Sequence, residues 1–557
     1  MPRLPLGISD YKKIVEGKFS YIDKTLLIEE ILELGTEVIL IPRPRRFGKT
    51  INLSMLRYFF EKTEDSLACL FQDFKIWKTK WSEKQGKFPV IFLTLKGIKK
   101  SSWEEAYKGM QSLIADEFER HSYLLQSKTL SENEKKDFQD IIDKVSNNQN
   151  LFETSLKLLC RYLKKHHNER VIILIDEYDT PIHDAYLCEY YEPMIRFMRN
   201  WFTEGLKDNS FLEKAVLTGI LRISKESIFS GLNNPGCYTL VRENFGDKFG
   251  LLESEVSLLL KEYNISHKID EIRKWYNGYK IGNYSLYNPW SILECIDNQG
   301  KLRPYWVNTS DNSLIKKLLI QGSALFKQDL ELLMEGKSII KNVNEEIVFK
   351  NLENQVDSIF GLFLFSGYLT LDAEPISGGR ALQCSLRIPN QEILYLYEEI
   401  FENWLTETLP GNNLPLLLQN LIAGQIEPFS EMLQILIFNT MSYYDIPHDE
   451  PEKIYHAFIL GLLVSLEATY EVKSNRESGF GRYDVCLIPK DSSELGIIME
   501  FKKVKEEENL QLAAEDALNQ IEKKQYSQEL LKRGIKNILT LGLAFQGKQV
   551  FIKERRN

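Results

Sequence analysis

Cysteine is sparse in this sequence and follows no paired spacing. The seven cysteines among 557 residues stand at positions 69, 160, 188, 237, 295, 384 and 486, and no two of them form a CxxC pair. A disulfide framework or a structural zinc site requires cysteines grouped at short, regular spacings. The scattered set therefore argues against both.

Long apolar runs are also missing. No stretch reaches the roughly 18–20 apolar residues that are needed to cross a bilayer, and the apolar runs at 38–41 and 171–175 have only strand length. The first residues, MPRLPLGISDYKK, become polar too early to hold the apolar core of a secretion signal. We therefore expect a cytoplasmic protein with no membrane partner.

The sequence lacks the excess of positive charge that would attract nucleic acid over its whole surface. The 70 Lys and Arg residues stand against 79 Asp and Glu residues, which gives a net charge of −9. A local groove can still be basic on an acidic protein, so this charge does not exclude an enzyme that acts on DNA. A chain of 557 residues is too long for one core and predicts about two or three domains.

The composition and hydrophobic pattern of the sequence change along the chain and predict an α/β fold with four segments. In residues 1–242, short apolar runs (EVILIP, FPVIFLTL, RVIILID and KAVLTGIL) alternate with long amphipathic segments, which predicts a parallel sheet with crossover helices. Residues 243–320 predict a helical lid region with aromatic clusters. Residues 321–444 predict a mostly helical middle region with some strand-like pieces, such as ALQCSLRIP. Residues 445–557 have an αββαβ order, which predicts a small separate α/β domain.

A phosphate-binding loop is predicted where the strand EVILIP leads into RPRRFGKT and a helical pattern follows. Backbone N–H groups of such a loop and of the helix start converge on phosphates. The predicted nucleotide contacts are Arg46, Phe47, Gly48, Lys49 and Thr50. Lys49 would reach the β- and γ-phosphates of ATP, and the Thr50 hydroxyl would bind Mg²⁺. A basic turn before a helix is the alternative interpretation.

The run RVIILIDEYDTPI supplies the second half of this site. Asp176, at the carboxyl end of an apolar strand, suits the role of Mg²⁺ partner to Thr50. Glu177 is placed to orient and deprotonate an attacking water, the role that separates hydrolysis from binding. A strand followed by acidic turn residues is the alternative, but two motifs that each stand in the right context favour the nucleotide site.

A third apolar run, KAVLTGIL, ends near Thr218 and is followed by Arg222. A polar residue on such a strand of a parallel sheet can sense the γ-phosphate, and an arginine can stabilise transition-state charge as an arginine finger does. We therefore include Thr218 and Arg222 among the candidate nucleotide-binding residues. A helix-capping threonine and a surface arginine are the alternative.

These motifs belong to a longer series of blocks: LPLGISDYKKIVEGKFSYIDKT, IPRPRRFGKT, LIDEYDTPI, VLTGILRISKESIFSGLNN, WYNGYK, LYNPWS and YWVNTSDNSL. Over about residues 3–315 the sequence resembles the AAA-ATPase-like family of bacterial proteins. The resemblance implies an AAA-like fold that binds ATP and Mg²⁺. Arg43 replaces the first glycine of an ordinary P-loop, and the resemblance implies that this arginine is usual in the family. We expect the blocks WYNGYK and LYNPWS to pack a lid against the core rather than to stack bases.

A second candidate site lies in the last segment, in the runs RYDVCLIP and GIIMEFK. Period-two alternation puts Glu500 and Lys502 on the same face of their strand, and a hairpin would add Asp484. Two carboxylates beside a lysine can hold Mg²⁺ through Asp484 and Glu500, activate water and stabilise charge on a phosphodiester. Gln520, on the following helix, can hydrogen-bond the substrate or the water. The alternative is that this Glu-x-Lys pattern marks only a solvent-exposed face of a strand.

The surrounding pattern over about residues 450–546, comprising a helix, SNRESGFGRYD, the hairpin and the glutamine helix, resembles the PD-(D/E)XK nuclease superfamily. Asp484, Glu500 and Lys502 match the core motif of that superfamily, and Gln520 matches its frequent helix position. The resemblance implies metal-dependent cleavage of nucleic acid with these four residues as catalytic groups. The same fold also occurs in inactive forms that only bind.

Together these features predict an ATPase that is also an ATP-dependent or ATP-regulated, Mg²⁺-dependent nuclease, with DNA as the expected partner. The alternative is a nucleotide switch or scaffold of the signalling-ATPase kind, whose C-terminal domain binds nucleic acid without cleaving it. A phosphotransferase is less favoured, because the sequence shows no acceptor site. A homo-oligomer is compatible with the sequence.

Overall fold

The computed structural model divides the chain into two compact units. The first comprises Met1–Asp311 and Ile340–Ile393, and the second comprises Asn312–Ile339 and Leu394–Asn557. The segment 321–444, predicted as one middle region, is thus shared between the units. The structure describes residues 2–144, 149–223, 228, 235–306, 318, 324–346, 356–377, 381–408, 414–440, 458–460, 462–463, 466, 468–474, 477–478, 481–504 and 508–556.

A five-stranded parallel sheet forms the centre of the first unit, as predicted. Its strands are β1 (Val38–Pro42), β2 (Val90–Thr94), β3 (Val171–Asp176), β4 (Leu212–Gly219) and β5 (Gly236–Cys237). Their order in the sheet is β2-β3-β4-β1-β5, and every neighbouring pair is parallel. All residues of β1 and β3 are buried, as expected for apolar strands covered on both faces. Because β4 lies between β1 and β3, the ends of these three strands meet at one edge.

Nine helices accompany this sheet in the described part of residues 1–242. They are α1 (Tyr11–Glu16), α2 (Leu26–Glu33), α3 (Lys49–Phe60), α4 (Trp103–Arg120), α5 (Glu132–Ile142), α6 (Gln149–Glu153), α7 (Ser155–His167), α8 (Thr180–Leu187) and α9 (Tyr191–Leu206). Short 3₁₀ turns occur at Ala68–Leu70, Lys75–Lys78, Lys80–Lys84, Leu95–Gly97 and Ser122–Gln126. Side chains cap several of these helices, and Ser131 and Glu134 form a capping box at the start of α5.

The predicted lid region contains helices together with a small antiparallel sheet. Its helices are α10 (Glu253–Glu262), α11 (Ile269–Tyr276) and α12 (Pro289–Asp297), with a 3₁₀ turn at Ser266–Lys268. Its strands are β6 (Leu251–Leu252), β7 (Tyr279–Ile281) and β8 (Tyr284–Tyr287), in the order β6-β8-β7. The aromatic residues Tyr276 and Tyr287 are buried in the core of this region.

The middle region contributes a second antiparallel sheet. After α13 (Ala324–Met334) come the strands β9 (Ile339–Val343), β10 (Thr370–Leu371), β11 (Ile376–Ser377) and β12 (Leu382–Arg387). The order is β10-β12-β11, and β9 also pairs with β12. The run ALQCSLRIP therefore forms a strand, as predicted. Helix α14 (Val356–Ser366) precedes β10.

The last part of the chain folds around a mixed five-stranded sheet. The helices in the described part of this segment include α15 (Gln391–Thr408), α16 (Leu414–Ile422), α17 (Ile426–Thr440), α18 (Leu510–Lys524) and α19 (Gln528–Lys532). The strands are β13 (Tyr470–Ser474), β14 (Glu477–Ser478), β15 (Gly481–Arg482), β16 (Val485–Pro489), β17 (Gly496–Lys503), β18 (Ile538–Gln546) and β19 (Gln549–Arg556). The sheet order is β13-β16-β17-β18-β19, in which β17 and β18 alone are parallel and α18 lies between them in sequence.

A close approach fixes α18 on this sheet. Gly542 of β18 has no room for a side chain, because a Cβ atom there would collide with the backbone carbonyl of Ala514 on α18. Side chains of β17 point alternately to the two faces of the sheet. Ile497 and Met499 face one core, whereas Ile498 faces the core that contains Leu518 of α18. Glu500 and Lys502 follow Ile498 at even spacing, so they share the α18 face.

None of the helices in the described ranges is both long and apolar enough to cross a bilayer.

Candidate functional site

The loop after β1 has the shape expected of a phosphate-binding loop. Gly48 immediately precedes α3 and has a φ of 83°, a left-handed conformation that glycine adopts at low cost. Arg46 also has a positive φ, of 65°. The loop therefore turns sharply into α3, whose first N–H groups face outward from the helix end and can bind phosphate.

Five of the predicted residues converge at the edge where β1, β3 and β4 end. The Thr50 hydroxyl donates to Asp176 Oδ2 at 2.7 Å, and the Thr218 hydroxyl donates to Asp176 Oδ1 at 2.7 Å. Lys49 Nζ lies 3.6 Å from Glu177 Oε1. Register explains the contact between Thr218 and Asp176, because the residues that precede them, Leu217 and Ile175, are paired between β4 and β3.

Burial controls the electrostatics of this cluster. Asp176 is fully buried, which raises the pKa of its carboxyl group, and the negative charge of Glu177 raises it further. The hydrogen bonds from Thr50 and Thr218 oppose this shift. A buried carboxylate beside a hydroxyl is a suitable oxygen donor set for Mg²⁺.

The donor set fits a cation that is shared with a nucleotide. Within the described ranges, no group of three or more His, Cys, Asp or Glu side chains is arranged to hold a metal ion by itself. Mg²⁺ is commonly bound through one or two protein oxygens together with substrate phosphates and water. Thr50 and Asp176 provide such a pair beside the start of α3, so the residues present fit Mg²⁺ bound with ATP.

Lys49 is held inside the loop by backbone acceptors. Its ammonium group donates to the carbonyl oxygens of Arg43 and Pro44, both at 3.1 Å. A side chain in this position points to the centre of the loop, where the phosphates of a nucleotide would lie. Glu177, its ionic partner, has a φ of 53°, which is uncommon for a residue with a side chain and is found more often at functional sites.

Arg43, which replaces the usual first glycine, is a buried anchor. Its φ is not positive, so glycine is not required there. The guanidinium group donates to four carbonyl oxygens, at distances of 2.6–3.3 Å, and lies over the ring of Phe249. The four acceptors are the carbonyl oxygens of Pro42, Tyr238, Asn244 and Phe245. Arg43 therefore fixes the start of the loop to Tyr238 and to the first residues of the lid region.

Aromatic residues of the lid region contact the end of the phosphate-binding loop. The Arg46 guanidinium lies 4.4 Å from the centre of the Trp290 ring. Phe47 is buried and packs edge-on against Tyr279 at 5.1 Å. The blocks WYNGYK and LYNPWS thus each place an aromatic ring against the phosphate-binding loop, whereas the role of this region as a lid stays a prediction.

Arg222 is placed against acidic partners from the middle region. Its guanidinium lies 2.8 Å from Glu346 Oε1 and 3.6 Å from Glu345 Oε2. Glu345 also accepts a hydrogen bond from the Thr239 hydroxyl at 2.8 Å. The guanidinium is thus held by two carboxylates in this structure, and its role as an arginine finger stays a prediction.

Sequence reasoning missed two residues that tie the ends of β3 and β4 together. Asp179 Oδ2 accepts the backbone N–H groups of Ile220 and Leu221, at 2.9 and 2.8 Å. The Tyr178 hydroxyl donates to the carbonyl of Leu221 at 2.6 Å. Burial raises the pKa of Asp179 to about 6, and Glu177 adds to the shift. Both residues lie in the block DEYDTPI, but the run after an apolar strand reads as an acidic turn.

The second predicted cluster is assembled at the pairing of β16 and β17. Asp484 lies directly before β16, and its Oδ2 accepts the backbone N–H of Phe501 at 2.7 Å. The Gln520 amide, on α18, donates to Glu500 Oε1. Lys502 Nζ lies 3.9 Å from the same oxygen. The structure therefore brings all four predicted residues of this site together.

The burial of Glu500 argues against a solvated strand face. Glu500 is only 2% exposed, whereas a solvated face would leave it largely in water. Burial raises the pKa of Tyr526, and the negative charges of Glu500 and Asp484 raise it further, which means that both carboxylates lie near this hydroxyl. Two neighbouring carboxylates with a lysine beside them fit the oxygen donors and the cation that a Mg²⁺ site for phosphodiester chemistry requires.

Comparison with known proteins gives family-model matches in two separate parts of the chain. Residues 5–229 match the family model described as "Predicted AAA-ATPase", and residues 450–555 match the model of the PD-(D/E)XK nuclease superfamily. A relative from Azotobacter chroococcum mcd 1, described as "Uncharacterized protein in vnfD 5'region", is 27% identical over 571 aligned positions, which cover 98% of this chain and 96% of that protein. No solved structure gives a significant match.

Proposed function

We propose that this chain, which carries an AAA-ATPase-like domain followed by a PD-(D/E)XK nuclease superfamily domain, is an ATP-regulated, Mg²⁺-dependent nuclease acting on DNA. The observation that carries the proposal is the placement of Gln520 and Lys502 beside the buried carboxylate of Glu500, with Asp484 bonded to the backbone N–H of the next residue, Phe501. The same chain also holds Lys49, Thr50 and Asp176 at the edge of a parallel sheet. The two sets of residues support two different hydrolytic reactions at phosphorus, one on the phosphoanhydride bond of ATP and one on a phosphodiester.

In the first domain, the residues support binding and hydrolysis of ATP. The loop and the first turn of α3 would bind the phosphates, and Lys49 would exchange its backbone acceptors for phosphate oxygens. Thr50 and Asp176 would hold Mg²⁺, which neutralises charge on the phosphates. Glu177 would orient and deprotonate the attacking water, and Thr218 would report the state of the γ-phosphate through Asp176.

In the C-terminal domain, the residues support hydrolysis of a phosphodiester. Asp484 and Glu500 would hold Mg²⁺, whose contribution is to activate water and to withdraw charge from the phosphate. Lys502 would stabilise the negative charge that develops on the phosphate oxygens. Gln520 would keep the Glu500 carboxylate in position through its amide hydrogen bond.

Cleavage assays with paired variants test the nuclease proposal. Single- and double-stranded DNA and RNA would be incubated with the wild type in Mg²⁺, in Mn²⁺ or in EDTA. Asp484→Asn is the test variant, and Asp491→Asn is its control, because Asp491 lies in the turn after β16, is exposed and bonds only locally to Ser493. We expect metal-dependent cleavage of DNA that is lost in Asp484→Asn and kept in Asp491→Asn.

Two results would redirect the proposal. Cleavage of RNA but not of DNA would change the substrate and keep the reaction. Binding of nucleic acid without any cleavage, together with intact ATP binding, would instead favour a nucleotide switch with a non-cleaving C-terminal domain.

A further inference from the structure

The carbonyl group of Arg45, in the middle of the phosphate-binding loop, is held by two side chains from outside the loop. The Trp306 indole N–H donates to it at 3.2 Å, and the Asn288 amide donates to it at 3.3 Å. A peptide unit is planar, so fixing this carbonyl also fixes the direction of the N–H of the next residue, Arg46. Two distant side chains therefore control the orientation of a peptide that would face the nucleotide phosphates.

Both donors are themselves fixed. Asn288 is buried, and its Oδ1 accepts the backbone N–H groups of Trp290 and Ser291 at the start of α12. Trp306 is fully buried and packs edge-on against Tyr368 at 5.1 Å. Because neither side chain can move freely, they can hold the loop carbonyl in one position.

One carboxylate connects these two donors. Glu392 Oε1 accepts the backbone N–H of Trp306 at 2.7 Å, and the Ser291 hydroxyl donates to Glu392 at 2.8 and 3.1 Å. Ser291 lies on α12, directly behind the Asn288 cap. The carboxylate of Glu392 therefore holds the backbone of Trp306 and the start of α12, the two places from which the Arg45 carbonyl is contacted.

Glu392 is fully buried at the second position of α15, where the chain passes from the first unit into the second. Burial raises the pKa of its carboxyl group to about 7, against the effect of its hydrogen bonds from Trp306 and Ser291. The ionisable groups that feel its charge are Tyr276, Tyr279, Tyr305 and Cys295, all of which are neutral near pH 7.

We propose that Asn288, Trp306 and Glu392 are positioning residues of the nucleotide site: together they hold the Arg45 carbonyl and so set the loop in the conformation that binds ATP. The proposal rests on the ATP-binding function proposed above. An ionised Glu392 accepts stronger hydrogen bonds than a protonated one, so it holds Trp306 and Ser291 more firmly. ATP affinity therefore depends on a carboxylate that does not touch the nucleotide.

Two conservative variants test this proposal by ATP-binding titration of the full chain. Trp306→Phe keeps an aromatic ring but removes the indole N–H, and we expect its Kd for ATP to rise about threefold to tenfold, the effect of one lost hydrogen bond. Glu392→Gln resembles the protonated acid. We expect its Kd to equal that of the wild type at pH 6 and to exceed it about threefold at pH 8.

The control is Glu253→Gln, which alters another carboxylate of the lid. Glu253 accepts hydrogen bonds from Arg273 and Tyr287, which both belong to the lid region. We expect its Kd to match that of the wild type at both pH values. The ratio between variant and wild type cancels the titration of ATP itself, and a purely structural role of Glu392 would give a ratio that does not change with pH.

The outcomes separate this proposal from the one on which it rests. A wild type that does not bind ATP would contradict the proposed nucleotide function. A wild type that binds ATP, with both variants folded and within twofold of its Kd at pH 6 and pH 8, would overturn the positioning role. If Trp306→Phe weakens binding but the Glu392→Gln ratio is constant with pH, the role of Glu392 would be refuted.

Discussion

The proposed nucleotide site and the proposed nuclease site both centre on a buried carboxylate, but they are built over very different distances along the chain. Asp176 is contacted by Thr50 and Thr218, and the loop beside it is held by residues from Tyr238 to Trp306. Glu500 is contacted by Gln520 and Lys502, which lie within 20 residues of it. A site that draws on distant segments responds to the state of the whole unit, whereas a compact site depends on one hairpin and one helix.

The compact site should lose most of its activity with a single local change. Lys502→Ala removes the cation beside Glu500, and we expect DNA cleavage to fall by about 10²–10³-fold while ATP binding stays unchanged. Lys503→Ala is the matched control, because the neighbouring lysine points to the opposite face of β17. Equal loss of cleavage in both variants would mean that general basic charge, and not the position of Lys502, matters.

In the proposed nucleotide site, which is built from distant segments, a single substitution should instead lower the stability of the folded protein. Asp179→Ala leaves the N–H groups of Ile220 and Leu221 without their acceptor, and we expect the free energy of unfolding to fall by about 2–5 kcal/mol. Chemical denaturation measures this change, with the exposed Asp73→Ala as control. A change below about 0.5 kcal/mol, the range of ordinary surface substitutions, would show that Asp179 does not tie β3 to β4.

The pH dependence of stability sharpens the same contrast. The pKa of Asp179 is raised from 3.8 to about 6 in the folded protein, so the folded state keeps a proton that the unfolded state releases. The stabilisation that comes from the protonated Asp179 is fully present below about pH 4 and is lost as pH rises to 6. In Asp179→Asn the loss should be absent, and the difference between the unfolding free energies of variant and wild type should grow from pH 4 to 6 and then stay constant. A difference that does not vary with pH would contradict the raised pKa.

The smallest effect concerns Arg222, which is held by two acidic residues. Replacing both Glu345 and Glu346 with glutamine removes the ionic partners of Arg222. If Arg222 acts on the γ-phosphate, its release should raise the rate of ATP hydrolysis by about fivefold, the equivalent of one ion pair near the surface. The same pair of substitutions combined with Arg222→Ala should show no gain. An unchanged or lower rate in the pair alone would argue against the arginine-finger role.

Sequence alone predicts the features that depend on neighbouring residues within one or two helices or strands. The strand, loop and helix around Gly48 follow from an apolar run, a glycine and a helical pattern, and the shared face of Glu500 and Lys502 follows from strand alternation. The parallel sheet follows from the alternation of apolar strands with helical segments. Each of these rules needs only the residues within one or two elements.

The features that sequence did not predict depend on contacts between distant segments. Three of the four acceptors of Arg43 lie about 200 positions along the chain, and Glu392 meets Ser291 and Trp306 across about 100 and 90 positions. No periodicity or spacing connects such residues, because their meeting is decided by the packing of the lid and of the middle region. Asp179 was missed for a related reason: its acceptor role depends on the loop after β4, not on its own neighbours.

The most direct test of the account is the effect of ATP on DNA cleavage by the wild type and by Lys49→Ala. Initial rates of cleavage would be measured in Mg²⁺ at several ATP concentrations, with ATP binding followed in parallel. The account predicts that ATP changes the cleavage rate of the wild type and that Lys49→Ala cleaves at one rate, independent of ATP. A wild type that binds ATP but cleaves DNA at the same rate with and without it would contradict the proposed regulation.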